Sequence, residues 1–157
     1  MIVSIVALSS ILFLLGCGHR DVTLDPAYHF AHMAGSRWKL KVPVAISRLP
    51  DGTLWGYGCS ASYASAFVTG TADVHAFGTD TIVDILPLGT EIQFDRLEWK
   101  GGEVGRYTIW ISVHSGKHTG KKLLAPQLDL FLDNQFLEPG KSRVLNWVVN
   151  PDKLEKP

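Results

Sequence analysis

An all-β fold is predicted for this chain, and three observations predict it. Segments in which apolar and polar residues alternate recur at intervals of roughly 8 to 12 residues, as short antiparallel strands do. Turn chemistry separates them: Pro50-Asp51-Gly52, Pro87-Leu88-Gly89 and Lys100-Gly101-Gly102-Glu103 combine a fixed φ with residues that tolerate positive φ. No strand-helix-strand alternation appears, which excludes a nucleotide crevice of the parallel α/β kind. The expected architecture is a small barrel or sandwich of short antiparallel strands, with one short N-terminal helix.

The elements follow in order. Residues 18–25 are polar and short, suited to a tether. Asp25-Pro26 opens the short helix, with Asp25 as N-cap and Pro26 at the first helical position, where its missing donor costs nothing. Gly35 closes it, and Phe30, Met33 and Ala34 share one face at helical spacing. From Trp38 the period becomes two. Trp38, Leu40, Val42, Val44 and Ile46 point one way, so 38–46 reads as a strand with one buried face. Pro43 cannot donate to a ladder, which puts that strand at an edge or gives it a bulge. The turn at 50–52 then leads into Thr53-Leu54-Trp55-Gly56-Tyr57 and completes a hairpin. The small-residue stretch 58–72 carries a weak strand over 62–69, with Tyr63 and Phe67 on one face.

The C-terminal half is the most regular. Strands are expected over 81–86, 90–97, 106–114 and 121–125. In 106–114, Tyr107, Ile109, Ile111 and Val113 point inward while Thr108, Trp110, Ser112 and His114 point outward. A one-residue slip would bury Arg106 and His114 together, so the phase is determined. Residues 127–136 read equally as helical turn or strand. Residues 144–149 form a last strand, and 151–157 a charged tail.

The first seventeen residues are set apart. An almost unbroken apolar run from Ile2 ends in Leu14-Leu15-Gly16-Cys17, shorter than the ~20 residues a membrane-spanning helix needs. It reads as the apolar region of a cleavable signal. Leu14-Leu15-Gly16-Cys17 resembles the lipobox of bacterial lipoprotein precursors. The resemblance implies cleavage between Gly16 and Cys17 and lipid on Cys17, and Gly18 is compatible with sorting to the outer membrane. Three acyl chains, at roughly 0.8 kcal/mol per buried methylene, would make a practically permanent anchor. The expected organisation is a signal peptide over 1–16, lipidated Cys17 with tether and short helix to 36, one β domain over 37–150, and the tail.

A second resemblance concerns fold. Asp84-Ile85-Leu86-Pro87-Leu88-Gly89-Thr90-Glu91-Ile92 is similar to the Leu-Pro-x-Gly-Thr turn and strand of bacterial Src-homology-3-like barrels. Val113-His114-Ser115-Gly116, followed by Gly120-Lys121, resembles their later hairpin. The closing Gly-Trp-Val of that family is replaced by Gly120-Lys121-Lys122-Leu123. The resemblance therefore implies a fold and not the family's peptidoglycan-binding role.

Composition limits function. The 157 residues carry 15 Lys plus Arg and 15 Asp plus Glu, with no block of like charge. Nucleic acid, which requires a basic stripe, is thereby not expected as a partner. Of the two cysteines, Cys17 goes to lipid, and Cys59 is left without a partner in the chain, to be read as a small buried hydrophobe ahead of a reactive thiol or an intermolecular bridge.

Candidate chemistry is sparse. Ser60, Ser62 and Ser65 lack the Gly-x-Ser-x-Gly elbow. His29 and His32 would share a helix face without a third ligand. His114 and His118 are four apart across Ser-Gly, a loop and not a metalloprotease helix. Asp73 and His75 fall on one face of a strand with no nucleophile beside them. Asp84, Asp95 and Glu98 would form an acid pair only if the fold brought two together. Trp110 in the outward phase is either covered by a second layer, such as the 25–35 helix, or an exposed aromatic anchor with His114 beside it. The expectation is a lipid-anchored periplasmic binding module that uses no cofactor and meets a protein or cell-wall partner as an assembly accessory, inhibitor or immunity factor. The alternative is a small periplasmic hydrolase or metal-dependent enzyme using His75, His114 or His118.

Overall fold

The computed structural model describes residues 19–75, 80–100, 106–125, 130 and 147–157. Its strands are β1 His19–Asp21, β2 Arg37–Leu40, β3 Val44–Arg48, β4 Leu54–Gly58, β5 Thr81–Leu86, β6 Glu91–Lys100, β7 Arg106–Val113, β8 Lys122–Leu124 and β9 Leu154–Glu155. Among the described residues one α-helix, α1, spans Ala61–Val68. The nine strands form one sheet in the order β5-β3-β4-β8-β7-β6-β2-β9, with β1 also paired to β6. The fold is all-β, and the sheet is not closed into a barrel. Among the described residues no helix is long and apolar enough to cross a membrane.

The β6–β7 hairpin is the spine, because its alternation commits one face to the core. Ile92, Phe94, Leu97, Ile109, Ile111 and Val113 are buried there, in the phase expected for 106–114. A bulge between Phe94 and Arg96 absorbs one residue, so Phe94 and Leu97 face the same side despite their odd separation. β7 pairs along the whole of one edge of β6; β2 and β1 share the other, opposite residues 91–93 and 98–100. β4 and β8 meet in parallel at Trp55 and Leu124, which joins this half to the β3–β4–β5 half. The turn at 50–52 is as expected, with Gly52 at φ 86° and Asp51 Oδ1 accepting from the Thr53 N–H at 2.8 Å.

Five expectations are corrected. Residues 38–46 are two strands, not one: the chain leaves β2 after Leu40, and Pro43, lacking a donor, lies in the break before β3. The 25–35 helix is a single 3₁₀ turn, Pro26–Tyr28, capped by Asp25 as anticipated but stopped by His29 in the left-handed region at φ 51°. The stretch 62–69 is helical, started by Ser60, whose Oγ accepts from the Tyr63 N–H at 3.1 Å. Tyr63 and Phe67 do share a face, but at the helical period of four. The tether is also structured: His19–Asp21 is a strand, Val22 is buried, and the Val22 N–H donates to Leu97 O at 2.9 Å. Finally, the tail carries β9, with Leu154 opposite Leu40 and buried in the core. The sheet thus extends past both limits of the expected 37–150 domain.

The signal segment with Gly16 and Cys17, the turn at 101–103, the ambiguous stretch 127–136 apart from Leu130, and residues 144–146 of the last strand lie outside the described residues.

Candidate functional site

β3 is buried on both faces, from Val44 through Ser47, and this places the site. Val44 and Ile46 join the main core, while Ala45 packs with Tyr57, Ile82 and Ile85 against Tyr63, Ala64 and Phe67 of α1. The helix roofs this half of the outer face but does not seal its margin with the turn that follows β5. There an apolar groove of about 740 Å³ opens, walled by Pro43, Phe67, Val68, Ile85, Pro87 and Leu88, with Asp84 and Lys117 also in its lining. Val68 is 81% and Leu88 68% exposed, so each rim presents an aliphatic side chain to solvent.

The polar wall is assembled by two elements far apart in sequence. Asp84 comes from β5, at the bulge that shifts the β3–β5 register. Lys117 and His118 come from a 3₁₀ turn, Gly116–His118, between β7 and β8. That turn requires Gly116 at φ 76°, and Ser115 Oγ pins it by accepting from the Glu91 N–H at 2.8 Å. Lys117 Nζ donates to Asp84 Oδ1 at 2.8 Å, and the Ile85 N–H donates to the same oxygen at 2.8 Å. His118 is 4% exposed, with Nε2 3.1 Å from Asp84 Oδ2. Among the described residues neither ring nitrogen has an aligned hydrogen bond, so the pair interacts as charge and dipole.

The electrostatics follow from this geometry. Burial pushes the His118 pKa below its ordinary value, and Lys121 and Lys117 push the same way; Asp84 opposes them without prevailing. Burial alone would raise Asp84, but the Lys117 hydrogen bond, the Ile85 N–H, the Lys117 charge and, at the low pH where Asp84 titrates, protonated His118 together hold its carboxyl below the usual range. A neutral imidazole beside an ionised, lysine-paired carboxylate is the resulting state near neutrality.

The other sequence candidates are dispersed. Asp95 accepts from Ser112 Oγ and lies 3.8 Å from Lys122 Nζ, while Glu98 pairs with Arg96 at 2.8 Å; these carboxylates and Asp84 make separate contacts instead of an acid pair. Asp73 and His75 are in a turn, not on a strand, and Asp73 Oδ1 accepts from the His75 backbone N–H at 2.9 Å instead of orienting its imidazole. His29 and His32 are exposed beyond the short 3₁₀ turn. Among the described residues no three His, Cys, Asp or Glu side chains come together for a metal. Cys59 is half-buried, its Sγ 3.5 Å from Pro43 O, and burial pushes its thiol up.

Trp110 and His114 have different surroundings. Trp110 is half-buried, its Nε1 buried, with the Arg96 guanidinium 4.9 Å from the ring centroid. The 25–35 segment does not cover it, because Phe30 packs edge-on against Phe94 and Trp147 in the main core. His114 sits just past the end of β7, its backbone N–H donating to Glu91 O at 2.8 Å.

The groove went unread in the sequence because its walls come from α1, β5 and the β7–β8 turn. Val68 offered one signal: it is an apolar residue off the Tyr63–Phe67 stripe. No family model matches the chain, and neither a curated protein nor a solved structure matches it.

Proposed function

We propose that this chain is a lipid-anchored lipoprotein of the bacterial envelope, held at the outer membrane through Cys17, facing the periplasm, and acting by binding instead of catalysis. The observation that carries the binding role is the groove with Val68 and Leu88 exposed on its rims. An apolar concavity with a few polar groups in its wall and exposed apolar surface on its rim is the usual form of a binding site. The Asp84–Lys117–His118 cluster supports recognition over chemistry: its charges are paired, its imidazole is buried, and among the described residues no nucleophile is bonded to it. The partner is a polypeptide of the envelope, as for an assembly accessory, inhibitor or immunity factor. The lipid anchor rests on the lipobox.

Photocrosslinking in intact cells tests the role. A photoreactive residue at 68 or 88 should give a discrete adduct that Leu88→Asp and Val68→Asp abolish, whereas one at exposed Thr119 should not; adducts indifferent to both substitutions would remove the groove as the site. For the anchor, Cys17→Ser should abolish lipid labelling and precursor processing. A Ser variant processed and labelled like the native chain would end the lipoprotein reading.

A further inference from the structure

The structured segment after Cys17 has a consequence for how the molecule stands on a membrane. β1 begins at His19, two residues beyond Cys17, and two steps of extended chain reach at most about 7 Å. The headgroup layer of one leaflet is itself roughly 5–8 Å thick. A lipidated Cys17 therefore leaves no slack: with β1 in place, the end of the sheet where His19 lies opposite Lys100 must meet the headgroups. The side chains of His19 and Arg20 are 59% and 61% exposed and can reach lipid phosphates, although Arg20 also pairs with Asp25 at 2.6 Å and His19 lies 3.8 Å from Glu98.

The opposite end of β6 carries the groove. Glu91 holds the β7–β8 turn through Ser115, Lys117 of that turn lines the groove, and Leu88 lies just before the strand. Glu91 and Lys100 are nine strand steps apart, roughly 30 Å. Resting on the lipidation reading above, we propose that Cys17 seats the β1 end of the sheet directly on the phospholipid headgroups. The groove is thereby held at the far end, facing away from the bilayer. β1 is kept in place by Val22 in the core and by Thr23 Oγ, which accepts from the Leu97 N–H at 2.9 Å.

The test uses the full-length lipidated protein, with Cys59→Ser, in phospholipid vesicles that carry a quencher on the headgroup. A fluorophore is attached to a single new cysteine at His19→Cys, Arg20→Cys or Thr119→Cys. Quenching at positions 19 and 20 and none at 119 is expected; two proximal positions guard against disturbance of the Arg20–Asp25 pair. A Gly-Ser insertion of about 12 residues between Gly18 and His19, adding roughly 20 Å of reach, should abolish the proximal quenching. If the protein floats with vesicles while 19 and 20 are as unquenched as 119, β1 has peeled away or the domain stands off, and the proposal is overturned. Equal quenching at all three overturns the upright orientation. Failure to float or to incorporate lipid ends the anchor reading, and this proposal with it.

Discussion

The two halves of the sheet's outer face are finished differently. Over β3, β4 and β5 it is roofed by α1, so Ala45, Ile82 and Ile85 form a second buried cluster behind the main core. Over β6, β7 and the start of β8 the same face carries Asp95, Arg96, Glu98, Ser112 and Lys122 in polar contacts. One row crosses both: Ser47, Trp55, Leu124, Trp110 and Arg96 are successive register partners on β3, β4, β8, β7 and β6. Along it, cover passes from complete at Ser47 to partial at Trp110, over whose ring the Arg96 guanidinium lies. The roofed half supplies the concavity, because a short helix laid on a wider face leaves a margin; the charged half leaves the hairpin as a stiff spacer.

The largest expected effect separates the main core from the roof. Phe94→Ala should cost about 3–5 kcal/mol, as truncation of a fully buried aromatic does. Phe67→Ala, on a half-buried ring beneath α1, should cost roughly 1–2 kcal/mol. It should also speed amide exchange in α1 while β6 and β7 keep their protection. Denaturant melts with exchange measurements decide the matter; equal losses, or uniform exchange, would show that the roof and spine unfold as one.

Next comes pH, which acts at the edge of the roof. His118 has its folded pKa below the ordinary 6.5, so the unfolded chain binds the extra proton first, and stability falls as pH drops from 6.5 through the folded value. Asp84 is held below 3.8; its contribution is present above that value and is lost only as pH falls through the lower folded one. Melting temperature should therefore decline in two stages, and His118→Gln should flatten the first while only weakening the second, to which His118 contributes through Asp84. An unchanged first stage in that variant would assign the loss elsewhere.

The smallest effect is on the charged half. Arg96→Met should lower stability by only about 0.5–1 kcal/mol, the range of a partly exposed cation over an aromatic ring. It should shift tryptophan emission to the red as Trp110 gains water. A loss several times larger would mean that Arg96 organises the surrounding charges, and the contrast between the two halves would weaken.

Where one face meets the core and the other meets water, alternation in the sequence is read directly. β7 was legible because its inward set is wholly apolar: Ile109, Ile111 and Val113 are buried as their phase requires, while Thr108 of the outward set is buried as well. The hairpin at 50–52 and the Asp25-Pro26 cap were legible because φ and side-chain capping are local properties. Where both faces are covered, alternation disappears: Val44-Ala45-Ile46-Ser47 is buried throughout, and the sequence there could not reveal that a helix lay on the second face.

α1 itself was misread because Tyr63 and Phe67, four apart, satisfy both the strand and the helix period, and only Ser60 as N-cap breaks the tie. The strands β1 and β9 were missed for a related reason. Each is three residues or fewer, too short for periodicity, and each is created by an edge already present in β6 or β2. The sequence by itself determined what depends on neighbours along the chain: the strand phases, the turns, the caps, and the expectation of lipid on Cys17. Tertiary structure alone decided what depends on long-range packing, because Asp84, Lys117, His118 and Val68 carry no shared spacing. They meet only when β5, the β7–β8 turn and α1 are packed at the same end of the sheet.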